Sequence, residues 1–297
     1  MKDPRPFLRK QFYKYAPRTR YFDGKVHMMR FMQATKGTPS TGLSYRDKIF
    51  RKLTGPIMDD PFVRTTTDRE HVKTFIDGLL KRPAALATYS ILRTEEDIAH
   101  ADFSRDAWVR TTHSYVIPMI VREQTVIPRD TLKDWLATDY YHRFRERNYK
   151  GLTPGILVEP YFKDGARPTI LVALCYKGEV SLLHTHGTDP QTGVSTRRYY
   201  SPNWEDLNFS IWDPVTPNAL PKPETLDAFL DDCATISTPF EIVGVEALLY
   251  PDGSYAFFAL SHCPDGGLAK VIPTEANDEF NARFFRKPPY GDTEEVT

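Results

Sequence analysis

The sequence predicts an α+β fold, and three observations carry the prediction. Two apolar stretches, 168–186 and 241–262, are each broken by a turn signal, Lys177-Gly178 and Pro251-Asp252-Gly253, as hairpins are. Two others carry apolar residues at helical spacing: Val72, Phe75, Ile76, Leu79 and Leu80, then Leu226, Phe229, Leu230, Cys233 and Ile236. No repeat of about 20–50 residues is visible, which excludes a solenoid or propeller.

In chain order, residues 43–53 read as a short helix. Thr67 and Glu70 ("TDRE") form a capping box for the helix behind them. Residues 85–92 read as a strand, and "TEEDI" starts a helical turn. Residues 106–121 are two strands around a short turn, with Pro118 marking an edge or a bend. Residues 129–149 form one long helix with Leu132, Trp135, Leu136 and Tyr140 inward. Residues 155–162 are a strand ending at Glu159-Pro160. The expected organisation is a basic arm (1–40), a two-lobed domain (41–275) and a C-terminal tail (276–297). The domain divides into segments 41–105, 106–154 and 155–275.

With 297 residues, the chain holds one large domain or two small ones. Its 39 basic and 39 acidic residues cancel, so net charge predicts no nucleic acid or membrane partner. The three cysteines, Cys175, Cys233 and Cys263, are odd in number and lack CxxC spacing. That argues against a disulfide framework and for a cytoplasmic location. The basic start lacks the apolar core of a signal peptide. No run of about 18 apolar residues occurs, so no transmembrane segment is expected. Residues 1–40 carry ten Lys/Arg against two Asp/Glu. They read as a solvated, irregular arm or as a dock for an anionic polymer.

Several segments line up with a known family. "LSYRDKIF", "DDPFVRTTTDREHVKTFI", "WVRTTHSY", "DWLATDYYHRFRERNYKGLTPGILVEPYF", "YYSPNWEDLNF" and "FEIVGVEALLYPDGSYAFFALSHCPDGGLAKVIP" occur in the order and spacing of its motifs. Over roughly residues 30–275 the chain resembles the teichuronopeptide-biosynthesis (TupA-like) branch of the ATP-grasp superfamily. The resemblance implies two lobes with an ATP cleft between antiparallel sheets, ATP and Mg²⁺ as cofactors, and carboxylate–amine ligation through an acyl phosphate. It implies as partners a nucleotide, a polysaccharide or sugar-acid acceptor from cell-surface polysaccharide biosynthesis, and an amine donor.

The same resemblance assigns roles. Arg110 stands where the family has a phosphate-binding lysine, and His113 matches a histidine of the same segment; both are candidate catalytic residues. Arg69 stands where the family has lysine and joins Arg110 and Glu159 as candidate nucleotide-binding residues. Glu159 matches an acid that accepts from the adenine amino group, and Glu246 a metal-binding acid. The residues alone also allow plainer readings: a surface charge for Arg110, an ordinary strand histidine for His113, and a solvated edge-strand acid for Glu159. Glu246 shares its strand face with Gly244 and Leu248, opposite Val243, Val245 and Ala247. A carboxylate there needs a metal such as Mg²⁺ or a salt bridge to a nearby arginine.

Departures from the family's pattern point to a second reading, a non-catalytic relative that binds a glycan or protein. Ala259 replaces the second metal-binding Glu, and Val172 replaces a lysine. "THSYVIPM" lacks the glycines that let backbone N–H groups reach phosphates. Ser261 and His262 are local substitutes for the missing acid. His184 and His186 share a strand face and form an incomplete metal set, for which a polar hairpin is the plainer reading.

Overall fold

The computed structural model describes residues 12, 15–40, 44–122, 127–188, 192–268 and 270–286. It begins with four helices: α1 (Arg20–Thr35), α2 (Tyr45–Thr54), α3 (Pro61–Thr67) and α4 (His71–Leu80). β1 (Ser90–Leu92), α5 (Glu95–His100), β2 (Ala107–Thr111), β3 (Met119–Val121), α6 (Arg129–Leu136), α7 (Tyr140–Phe144) and β4 (Ile156–Glu159) follow. Next come β5 (Thr169–Tyr176), β6 (Glu179–Thr188), β7 (Ser195–Tyr200), β8 (Asp206–Leu207), β9 (Ser210–Ile211) and α8 (Leu226–Ser237). The chain ends in β10 (Ile242–Leu249), β11 (Tyr255–Ser261), β12 (Val271–Ile272) and α9 (Asn277–Phe284).

This is the α+β class expected. One antiparallel sheet runs β1-β4-β2-β3, and a second runs β11-β10-β5-β6-β7-β8. Both predicted hairpins are present, β5–β6 and β10–β11. The first turns at Lys177 (φ 52°) and Gly178 (φ 80°), both left-handed, as a two-residue hairpin turn requires. Alternation divides the large sheet between two cores. Val243, Val245 and Ala247 of β10, with Leu171, Ala173 and Cys175 of β5, bury against Phe229 and Cys233 of α8 and Val72 and Ile76 of α4. Val172 and Leu174 face the other way, into a core shared with α2 and α9.

Several local expectations are corrected. Thr67 is not a cap: it ends α3, with its hydroxyl bonded to the carbonyl of Val63 at 2.7 Å. Asp68 instead stands two residues before the Glu70 N-cap of α4 and accepts from the N–H groups of Glu70 (2.9 Å) and His71 (3.4 Å). Only Ser90–Leu92 of the 85–92 stretch is a strand, although Ala85 makes a bridge to Phe257. The long helix at 129–149 is two helices and a 3₁₀ turn. Asp139 accepts from the N–H of His142 at 2.7 Å and starts α7, and Arg145 (φ 65°) ends it. A short acid able to bond the backbone locally favours a fresh helix start over continuation.

The two chain ends are corrected as well. Within the basic arm, α1 is a 16-residue helix with Asp23, Val26, His27 and Phe31 buried, not a solvated coil. The expected tail contains α9, whose Phe280 and Phe284 meet the Tyr45 ring at 5.3 and 4.7 Å. Residues 287–297 lie outside the described residues. The three proposed segments are not separate lobes: the four-stranded sheet takes β1 from the first, β2 and β3 from the second, and β4 from the third.

Candidate active site

A cavity of about 440 Å³ opens between the two sheets. β2 and the turn after it form one wall, and β5, β6, β7, β10 and β11 form the other. Its volume lies within the roughly 300–1,000 Å³ typical of small-molecule sites.

Arg110 stands on β2 and lines the cavity while being 3% exposed. It is no surface charge. Its Nε and Nη2 donate to Glu159 at 2.5 and 3.0 Å, and Nη2 also donates to the Phe258 carbonyl at 2.9 Å. The rings of Trp108 and Phe258 lie 4.7 and 4.8 Å from the guanidinium carbon. Its Nη1 has no hydrogen-bond partner among the described residues. A buried donor left unmatched costs free energy unless a ligand satisfies it.

Glu159 does not line the cavity. β4 is an inner strand, so the edge-strand reading is also set aside. The carboxylate is fully buried and takes Arg110 on one side and the ammonium of Lys73 on the other. Two cations share one carboxylate, which leaves a net positive charge behind the cavity wall. Burial lowers the pKa of both cations, and Glu159 pulls each back up.

Glu246 lies half-buried on the opposite wall. Its strand neighbours in register are Val172 on β5 and Ala259 on β11, so both departures from the family pattern flank it directly. Among the described residues no cation lies within ion-pair distance, so the salt-bridge reading fails. Burial pushes its carboxyl up, and the Asp265 carboxylate adds to this, against the pull of Arg69, Arg110 and Arg197. Arg69 also lines the cavity. It is anchored by donating to the carbonyls of Thr111 (2.9 Å) and Ser114, and lies over the Tyr115 ring.

His113 is not brought to the cavity. It is buried beside the start of β4, where its Nδ1 accepts from the N–H of Gly155 at 3.3 Å, and burial lowers its pKa. His262 is likewise outside, paired with the Thr66 hydroxyl at 2.9 Å. Ser261 does line the cavity. So do His184 and His186, with ring centroids 4.9 Å apart. Burial holds His184 well below its usual pKa and takes His186 down to about 3, so both are neutral. Among the described residues, the one trio able to hold a metal is Asp68, Glu70 and His71. Its Asp68 is already engaged by the backbone N–H groups of Glu70 and His71.

Sequence reasoning missed Arg197, Lys73, Glu146, Tyr140 and Tyr149 as site residues. Arg197 lines the cavity from β7, ion-paired to Asp213 (2.9 Å) and Asp265 (2.6 Å). A charge inside an alternating strand, "STRRYY", was its available signal. Glu146 sits in the charged run "RERNY" and had none, because such runs usually face solvent.

No protein-family model and no curated protein matches the chain. Among solved structures it is similar to the ATP-grasp ligase PsnB complexed with minimal precursor, at 13% identity and a TM-score of 0.38, over 68% of this chain and 54% of that one. It is also similar to L-amino acid ligase from Bacillus licheniformis (14%, TM-score 0.45, 82% and 55%). D-alanine–D-alanine ligase from Bacillus anthracis complexed with ATP gives 11%, 0.39, 67% and 55%. The chain spans about half the length of these structures.

Proposed function

We propose that the chain is an ATP-dependent carboxylate–amine ligase working through an acyl phosphate. The observation that carries this is the opposition, across one cavity between two antiparallel sheets, of Arg110's Nη1 and Glu246's carboxylate, both without a hydrogen-bond or ion-pair partner among the described residues. This reading places the phosphate chain between them. Arg110 and Arg69 donate to its oxygens, and Trp108 and Phe258 supply apolar surface for a base. Glu246 would hold a Mg²⁺, with phosphate oxygens and water completing the shell, as is common for this ion. When bound, Mg²⁺ neutralises charge on the transferring phosphoryl group. The motif resemblance supports a sugar-acid or polysaccharide acceptor.

The second reading, a non-catalytic relative, is favoured by Ala259 and Val172 on either side of Glu246, which leave it without a carboxylate on either neighbouring strand, while Asp265 of the same cavity is ion-paired to Arg197. Thermal unfolding with ATP, ADP and GTP, each with Mg²⁺ or EDTA, separates the two. A ligand at 100 times its Kd stabilises by about 2.7 kcal/mol. The ligase reading expects an ATP shift that depends on Mg²⁺ and loses that dependence in Glu246→Gln. A Mg²⁺-independent shift favours the second reading, and no shift with any nucleotide sinks the first.

A further inference from the structure

We propose that the corner of the cavity formed by Tyr140, Glu146 and Tyr149 is a subsite for an organic ammonium. It rests on the ligase reading only in taking that ammonium to be the amine donor.

Glu146 lines the cavity half-buried. Among the described residues its carboxylate has one hydrogen-bond partner, the Tyr140 hydroxyl, which donates to Oε1 at 3.4 Å. Tyr140 and Tyr149 line the same corner with ring centroids 4.3 Å apart, and Phe144 stacks on Tyr140 at 4.4 Å. A carboxylate beside aromatic faces suits a compact cation, which gains a charge-assisted hydrogen bond and contact with the rings. It repels a phosphate, and a single carboxylate among rings is poor in oxygen ligands for Mg²⁺.

The groups facing Glu146 leave this role open. Arg30 of α1 lowers its pKa from nearby, but donates to the carbonyls of Phe144 (2.5 Å) and Arg143 (2.9 Å). His27 of α1 lies at 3.0 Å from the Arg145 carbonyl and is held neutral, its pKa lowered to about 4 by burial. Cys263 is kept a neutral thiol by burial. Arg69 reaches the two tyrosines but is tied to the turn after β2. Burial raises the Glu146 carboxyl to about 7.

The corner is held rigidly. Asp23 of α1, 1% exposed, accepts from Arg145 (3.2 Å), Arg147 (3.0 Å) and the Tyr141 hydroxyl (2.8 Å). These contacts fix the segment on both sides of Glu146.

The test titrates benzylamine, which stays charged through neutral pH, and its neutral isostere benzyl alcohol against the full chain, read by saturation-transfer NMR. Benzylamine should bind at least about tenfold more tightly than the alcohol at about pH 8. That preference should shrink toward about pH 6 as Glu146 protonates. Glu146→Gln should abolish the preference and its pH dependence, with the ATP-induced thermal shift retained as a check on folding. Tyr149→Leu, which keeps the carboxylate, should weaken benzylamine alone; this variant and the wild-type pH series decide the matter if Glu146→Gln does not fold. Equal affinity for amine and alcohol, or an unchanged preference in Glu146→Gln, overturns the proposal. Benzylamine binding without any ATP response keeps the subsite and sinks the nucleotide reading; an ATP response without benzylamine binding does the reverse.

Discussion

Replacing Glu159 with Gln tests how the wall behind the cavity is held. In the wild type this fully buried carboxylate takes two hydrogen bonds from Arg110, at 2.5 and 3.0 Å, and a third from Lys73. Arg110 and Lys73 have side chains only 4% and 11% exposed, so Arg110 above all is left without ready access to water. Removing one partner of such a buried set costs about 3–5 kcal/mol, because uncompensated charge stays behind. Lys73 retains the Thr88 hydroxyl at 2.5 Å, which places the expected loss toward the lower figure. For a chain of this size each kcal/mol moves Tm by about 2–4 °C, so a fall on the order of 10 °C is expected. Lys73→Met alone leaves the Arg110 fork intact and should cost about 1 kcal/mol, and the double variant should lose less than the sum of the two. Urea denaturation gives these energies, with an ATP titration run in parallel. If Glu159→Gln unfolds within about 1 kcal/mol of wild type, the structural role is refuted. If stability then holds while ATP affinity falls, Glu159 acts on the nucleotide, as the resemblance implies.

Three further outcomes are expected. Asp23→Asn should destabilise by on the order of 3 kcal/mol and expose α1 to limited proteolysis, since Asp23 joins that helix to Tyr141, Arg145 and Arg147. Glu146 has a folded pKa of about 7 against an ordinary 4.5. Its contribution to stability is therefore present in full below about pH 4.5 and lost as pH rises to about 7; this part of the pH–stability curve should vanish in Glu146→Gln. Ala259→Glu sets a second carboxylate opposite Glu246. It should lower Tm in EDTA through like-charge repulsion and raise the Mg²⁺-dependent part of the ATP shift; a Tm equally depressed with and without Mg²⁺ would count against a metal at this corner.

Local pattern made several features legible from the chain alone. Period-two alternation and a left-handed turn gave both hairpins, because a strand buried on one face must alternate and a tight turn needs positive φ. Glu246 was legible for the same reason: a charge in an apolar strand is expensive, so it must meet something. Arg110 and Arg69 were located through motif order, and both line the cavity. The long helix failed because Asp139 offers its own backbone an alternative bond, a choice periodicity does not register. α1 and α9 were read as arm and tail because their charge or position masked the few apolar residues that bury, such as Phe31 and Phe284.

The sequence by itself determined the class of fold, the hairpins and the presence of costly charges inside strands. Only the tertiary structure decided what those charges meet. It paired Glu159 with Arg110 and Lys73, left Glu246 without an ion-pair partner among the described residues, kept His113 out of the cavity lining, and brought Glu146 from a charged run to the cavity wall. The physical reason is that the cost of a charge is set by its neighbours in space. Those neighbours come from segments as far apart as residues 23, 110, 146 and 246, whose proximity no local spacing encodes.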